Sequence, residues 1–193
     1  MNTKEEILNV ALSLFNNKSV KSVTTNHIAK EANISPGNLY YYYKNKEEII
    51  RALFDIMIQD EYHICEQSTC DTLEELNNYF KNLFKVYQEY FFMRRDIFSL
   101  TLNDSILHEK FLKYQETENT ETKKWILFLI KKEVIMDIDE KTVEFLTQNI
   151  NFILLFWSPY SKLFLPKLNK NSLDEGLHMI NSLIKPYVNL VQD

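Results

Sequence analysis

The sequence predicts an all-α protein, and three observations carry that prediction. Glycine occurs 2 times and proline 4 times in 193 residues, too few of the residues that hairpins and strand turns use. No run alternates strictly between apolar and polar residues; apolar side chains recur at helical spacing instead. Four pairs place a cap residue three positions before a glutamate, which marks a helix start: Thr3/Glu6, Asn45/Glu48, Thr72/Glu75 and Ser172/Glu175.

The first pair opens a helix to about Asn16, with Ile7, Ala11, Leu14 and Phe15 on one face. Thr24 suits the N-cap of a short second helix, whose hydroxyl accepts from a free amide of the first turn. Ile28, Ala29 and Ala32 give that helix one apolar edge. Asn33 stands where a helix end needs positive φ, and asparagine is the usual substitute for glycine there. Ile34 then fills the angle before a third helix, with Ser35 as N-cap and Pro36 at its first position, where a missing N–H costs nothing. Leu39 and Tyr43 sit four apart and face the core. Gly37, Asn38, Tyr40 and Tyr42 point outward. Four adjacent tyrosines on a helix cannot all face inward; Tyr43, and after it Tyr41, are the core candidates. Helix, tight turn and a second helix exposing polar and aromatic groups form a helix-turn-helix.

Asn45 opens a long helix to about Glu66, with Ile49, Leu53, Ile56 and Ile64 inward. It starts beside the helix-turn-helix and ends in the rest of the chain, so it is the natural lever between the two. Residues 1–45 are read as one domain and 46–193 as a second. After a polar break at Ser68–Asp71, a helix runs from Leu73 to about Met93 with Leu76, Phe80, Phe84, Tyr87 and Phe91. Arg94 to Leu102 forms a short helix. Asp104 to about Lys132 follows, with a break allowed near Glu118–Thr120. Asp139 to Trp157 is ended by Pro159, and Ser172 to Ile184 is followed by Pro186.

Over roughly residues 5–55 the chain resembles the TetR-type (TetR/AcrR) transcriptional regulators, through the run ISPGNLYYYYKNKEEII at 34–50. Family members carry a small residue, Gly, a small polar residue, Leu-Tyr, two further aromatic or His positions, then Lys-Asn-Lys-Glu. Three positions depart from that pattern: Asn33 where Gly is common, Asn38 where Thr is common, and Tyr42 where His is common. The resemblance implies an N-terminal three-helix DNA-binding domain and a C-terminal helical domain for effector binding and dimerisation. It assigns phosphate contacts to Thr24, Thr25, Tyr40, Tyr42 and Lys46, which position a protein without reading sequence. It places Asn26, Pro36, Gly37 and Asn38 at base edges, where Asn pairs with adenine and Gly allows close approach. Ser35 and Tyr41 complete the expected DNA-binding set.

The second domain is rich in aromatics, which fill cores as readily as they line cavities. The resemblance implies an effector cavity among the middle helices, with Phe84, Tyr87, Gln88, Phe91, Phe98, Phe111, Trp125, Phe128, Phe152 and Phe156 as its candidates. Asn149 and Asn151 are further polar anchors. Two apolar stripes follow, Val143, Leu146, Ile150, Ile153 and Trp157, then Leu173, Leu177, Ile180 and Ile184. In TetR-type proteins the last two helices pair across a two-fold axis, so these residues are the expected homodimer interface; packing within one subunit is the alternative. A dimer would space two recognition helices about 34–36 Å apart to read a palindrome.

Composition narrows the function classes. The net charge is −5, unlike a nucleic-acid coat. Residues 1–51 carry 7 basic and 5 acidic groups, the remainder 15 and 22, which fits a small DNA-facing head on an acidic body. Met1 to Phe15 reads as an amphipathic helix and not a signal peptide, and Phe152 to Trp157 is too short to span a bilayer, so a cytoplasmic protein is expected. Cys65 and Cys70, with His63 nearby, fit reduced thiols better than a metal site. His27, His108 and His178 have no ligand spacing. Glycine only at 37 and 176 excludes a phosphate loop, and no nucleophile is paired with a base. No enzyme, cofactor or metal is expected. The expected function is a repressor released from a palindromic DNA operator by a small, largely apolar effector. The competing reading gives the body a protein partner and no small ligand.

Overall fold

In the computed structural model of the protein, residues 2–68, 72–165 and 172–189 are described. Among them the chain forms nine α-helices and no strand: α1 (Thr3–Asn17), α2 (Thr25–Glu31), α3 (Pro36–Tyr42), α4 (Lys46–Glu66), α5 (Leu73–Glu89), α6 (Phe91–Asn103), α7 (Ser105–Lys131), α8 (Glu140–Phe164) and α9 (Ser172–Ile184). A short 3₁₀ turn, Val20–Ser22, joins α1 to α2.

The caps do most of what their residues predict. Thr72 Oγ1 accepts from the Glu75 amide at 3.2 Å, and Asn45 Oδ1 from the Glu48 amide at 2.9 Å. The first box is shifted by one residue. Asn2 caps α1, accepting from Lys4, while Glu5 accepts from the Asn2 amide at 3.3 Å; Asn2/Glu5 offers the expected Thr3/Glu6 pattern one step earlier. The Ser172 side chain, Cys70 and part of the Ser68–Asp71 break lie outside the described residues.

Ile7, Ala11 and Phe15 of α1, Ile28 of α2, Leu39 of α3 and Ile49 of α4 meet in a fully buried head core. α4 runs on without interruption, and its Leu53, Phe54 and Met57 join the core of the body. Side chains from α6 lock the head onto the body. Arg95 donates to the carbonyls of Phe15 at 2.9 Å, Asn16 at 3.3 Å and Lys18 at 3.0 Å, which are among the orphan acceptors at the end of α1. Arg51 of α4 pairs with Asp104 at 2.6 Å, and Asp104 also caps α7 through the amides of Ile106 and Leu107.

Three helix ends differ from expectation. The helix from Leu73 stops at Glu89 and not Met93, because Asn16 bridges the break: it donates to the Glu89 carbonyl at 2.6 Å and accepts from the Phe92 amide at 2.9 Å. α7 is unbroken through Glu118–Thr120. α8 passes through Pro159 to Phe164; one ladder bond is lost there, but Trp157 and Ser161 on either side are buried, and Ser161 Oγ donates to the Ser158 carbonyl at 3.1 Å.

Candidate nucleic-acid interface and body cavity

The turn between α2 and α3 depends on Asn33, whose φ is 53°. That conformation lets Ile34 donate back to the Ala29 carbonyl at 3.0 Å and sets α3 across α2. Ser35 Oγ then accepts from the Asn38 amide at 3.1 Å, and Pro36 occupies the first helical position. Leu39 and Tyr43 anchor α3 to the core. Pro36, Gly37 and Asn38 are exposed, as are Tyr40 at 48% and Tyr41 at 82%. Tyr41 is thus an outward residue and not a core one. Tyr42 is half-buried with its ring edge-on to Tyr41. Gly37 is free of packing constraint: a Cβ there would meet only Ser35 Oγ, at 3.9 Å.

Thr24 and Asn26 are exposed beside α3. Thr24 caps α2, its Oγ1 accepting from the His27 amide while His27 Nδ1 accepts from the Thr24 amide, both at 3.3 Å. Thr25 Oγ1 and Tyr40 OH hydrogen-bond at 2.9 Å and tie the two helices together at this surface. Lys46 is placed less simply. It is half-buried, and Nζ donates to the carbonyls of Val20 at 2.8 Å and Val23 at 2.9 Å. Thr25 of α2 and Tyr40 of α3 thus share one surface, while Lys46 at the start of α4 is held by the carbonyls at the 3₁₀ turn.

In the body, a cavity of about 430 Å³ opens among α4, α5, α7 and α8. Tyr79, Phe80, Trp125 and Phe128 give it an aromatic wall, Leu83 and Leu154 close it, and Glu118, Glu121, Thr122 and Lys124 supply polar groups. Phe80 and Trp125 meet edge to face, with centroids 5.9 Å apart. A second cavity of about 470 Å³ lies at the head–body junction, where Lys21, Lys46, Glu47, Asp96 and Asp104 make the lining more charged.

Of the ten residues expected in the body cavity, Trp125 and Phe128 line it. Phe84 and Tyr87 are core residues, packed edge to face. Phe91 is buried beneath Lys162, Phe111 packs on Phe54 and Tyr114, and Gln88 points to solvent. Phe98, Phe152 and Phe156 form an aromatic stack on the outside, between α6 and α8, with Phe98 67% and Phe152 63% exposed. Asn151 bonds Thr122 and Asn119, and Asn149 bonds the Phe145 carbonyl. Aromatic content alone does not distinguish lining from core. The acids were missed, yet Glu118, Thr122 and Trp125 follow i, i+4, i+7 spacing, which puts them on one face of α7.

The expected interface stripe also faces inward. Val143, Leu146, Ile150, Ile153 and Trp157 of α8, with Leu177, Ile180 and Ile184 of α9, are buried within the chain, and Leu173 is half-buried. α8 carries a second apolar stripe that helical periodicity makes equally regular: Phe145, Phe152, Phe156, Tyr160 and Leu163, mostly exposed.

A short, exposed α3 set across α2, carried on a larger helical body with a cavity open to solvent, defines a helix-turn-helix regulator of the DNA-binding class. The chain belongs to the TetR family. Its residues 7–53 match the family model described as bacterial regulatory proteins, tetR family, and residues 47–190 match one described as a bacterial transcriptional repressor. The family is one of transcriptional regulators and not of enzymes. Among curated relatives, the chain is 35% identical over 94 residues to the HTH-type transcriptional regulator QacR of Staphylococcus aureus, covering 48% of this chain and 50% of that protein. It is 44% identical over 48 residues to the negative transcriptional regulator of the biofilm operon, IcaR, of Staphylococcus epidermidis, covering 25% and 26%. The matched region thus spans about half the length of the first and a quarter of the second. A TetR-family regulator from Marinobacter aquaeolei superposes with a TM-score of 0.84 at 27% identity, over 98% of this chain and 92% of that one. SmeT, solved as a complex with triclosan, shares the fold with a TM-score of 0.71 at 16% identity, over 97% and 92%. No described helix is long and apolar enough to cross a membrane.

Proposed function

We propose that this protein is a homodimeric, cytoplasmic repressor that holds a palindromic operator through α3 and releases it when a small, largely apolar effector enters the body cavity. The exposure of Pro36, Gly37, Asn38, Tyr40 and Tyr41 on a helix anchored by Leu39 and Tyr43 carries the DNA-binding part. In this reading Asn26, Pro36, Gly37 and Asn38 approach base edges, while Thr24, Thr25, Tyr40, Tyr42 and Lys46 touch phosphates. Residues 1–45 act as the DNA-binding head and 46–193 as the effector and dimer body. The body cavity supports a small ligand over a body that binds only a protein.

Effector control follows from how the head is held. α4 is shared by both parts, and α6 grips the end of α1 through Arg95. A ligand that favours one tilt of these helices changes the separation of two heads, and so operator affinity, only by its differential affinity for the two states. The outward stripe of α8 serves as the two-fold surface. Fluorescence anisotropy against DNA from upstream of the protein's own gene, with scrambled DNA as control and two salt concentrations, tests the reading. Preference for the native fragment that survives higher salt is the expected result; equal, weak binding to both DNAs counts against it.

A further inference from the structure

The cavity of about 470 Å³ at the head–body junction has a chemistry of its own. Its apolar floor is Val20, Ile50, Leu100 and Leu107, all buried. Its charged groups divide into spent and unspent ones. Asp96 is held by Arg95, through Nε at 3.0 Å and Nη2 at 2.8 Å, and Asp104 by Arg51 at 2.6 Å. Those two pairs cancel. Lys21, Lys46 and Glu47 remain, which leaves one positive charge in excess. Among the described residues Lys21 and Glu47 make no hydrogen bond or ion pair. Lys46 Nζ stands at the wall itself, donating to the carbonyls of Val20 at 2.8 Å and Val23 at 2.9 Å. One of its three protons is left.

These groups select a ligand. A cation would add to the excess. A neutral molecule would leave two ammonium groups without an acceptor. A small anion with no tail would leave the apolar floor against water. A carboxylate on an aliphatic chain meets both demands: its oxygens accept charge-assisted bonds from Lys46 and Lys21, and its chain covers the floor. The lining holds no aromatic side chain, so a flat ring has no face to stack on there.

We propose that the junction cavity is a second ligand site, separate from the body cavity, and that it takes a medium-chain aliphatic carboxylate with its head group on Lys46 and Lys21. This ligand competes with DNA, because Lys46 has one proton to give and a phosphate would use the same one. The competition rests on reading Lys46 as a phosphate contact; the site does not.

Methyl-detected NMR of the full chain at neutral pH, titrated with octanoate, octanamide, octylammonium and acetate, tests it. Octanoate is expected to shift the methyl signals of Val20, Ile50, Leu100 and Leu107. It should bind at least about tenfold tighter than octanamide or acetate, with octylammonium weakest. Lys21→Gln should weaken octanoate about threefold and Glu47→Gln strengthen it about as much, as single exposed charges do, while octanamide binds both variants like the parent. Octanoate shifts confined to Leu83 and Leu154 would put the ligand in the body cavity and overturn the site. Acetate binding equal to that of octanoate, or octanoate affinity indifferent to both folded variants, would overturn it too. Operator anisotropy with and without octanoate reads the competition, and each ligand should lower the affinity of the other by the same factor. Octanoate seated at the junction with operator affinity unchanged keeps the site and overturns the competition. A protein that holds its operator and takes no octanoate at the junction removes the site and leaves the regulator standing.

Discussion

The ammonium of Lys46 donates to the Val23 carbonyl at 2.9 Å and, with a second proton, to the Val20 carbonyl at 2.8 Å. These two carbonyls flank the 3₁₀ turn that delivers the chain into α2. Lysine has three such protons. Two are used inside the protein, so one remains to point at a phosphate. The first residue of α4 is therefore a brace for the head as well as a candidate DNA contact.

Lys46→Met keeps the length of the side chain and removes every donor. Two charge-assisted bonds are lost, so the melting temperature should fall by an amount equivalent to about 1–3 kcal/mol. DNA affinity should drop on all sequences alike, and the dependence of log K on log salt should flatten by about 1. A stability loss with an unchanged salt slope would show that Lys46 braces the head and touches no phosphate.

The two glycines respond to alanine in opposite ways. At Gly37 a methyl group meets open space, 3.9 Å from its one neighbour, whereas at Gly176 it lands 2.5 Å from Trp157 Cδ1 and 2.9 Å from Phe84 Cζ. Gly37→Ala should leave stability unchanged or raise it by up to about 1 kcal/mol, the helix-propensity difference, while weakening operator binding by keeping α3 from the groove floor. Gly176→Ala should destabilise by about 1–3 kcal/mol through overpacking between α8 and α9. Thermal melts and anisotropy on both variants check this. Full DNA affinity in Gly37→Ala would remove the close-approach role.

Asn38 is exposed on α3 and its side chain makes no bond that the fold needs; only its amide is used, by Ser35. Asn38→Ala should therefore melt like the parent and lose discrimination at one position of each half-site, by about 1–3 kcal/mol against the wrong base. Binding to a panel of single-base operator variants reads this directly. Uniform losses across the panel would mean that Asn38 does not read a base.

Much of the head was legible because its signals are local. Ser35, Pro36 and Asn33 each state a backbone requirement that no distant contact needs to supply. The break after Glu89 was not legible, since Tyr90–Phe91–Phe92 reads as more helix and the residue that stabilises the break, Asn16, is far away in sequence. Pro159 misled for the converse reason: burial of Trp157 and Ser161 carries α8 past a residue that ends helices in isolation. The body failed on faces. α8 has two apolar stripes, and periodicity cannot say which turns inward. Aromatic content likewise could not separate Trp125, on the cavity, from Phe84, in the core.

Glu61 gives the body a pH dependence. Burial lifts its carboxyl from 4.5 to about 7, against the pull of Arg94 on α6 and the Tyr114 hydroxyl, and with Glu118 of α7 and Asp60 of α4 adding to the lift. Tyr87 of α5 also faces this group. Below pH 4.5 both folded and unfolded states hold the proton and no penalty exists. Between pH 4.5 and 7 the folded state keeps a proton that the unfolded state releases, so stability falls as pH rises. Above 7 the loss is complete, on the order of a few kcal/mol. Glu61→Gln should flatten that decline in urea melts across this window; an equally steep decline in the variant would place its origin elsewhere.

The proposed dimer can be tested on the two stripes of α8 at once. Phe152 is 63% and Leu163 72% exposed on the outer stripe, while Ile150 on the inner stripe is fully buried. A large apolar patch left open on a helix marks an association surface, and at a two-fold axis the same patch meets itself. Phe152→Glu would bring two like charges together in an apolar contact, so sedimentation should show association weakened by at least about 100-fold, near 3 kcal/mol. Its melt, extrapolated to the monomer, should barely change. Ile150→Ala should do the reverse, costing about 2–5 kcal/mol of stability through a core cavity while leaving the association constant of the folded protein alone. Operator binding should follow the first variant, because one head spans only half of a palindrome. If Phe152→Glu remains a full-strength dimer and Ile150→Ala dissociates, the inner stripe and not the outer one makes the interface, which would require α8 to turn over on assembly.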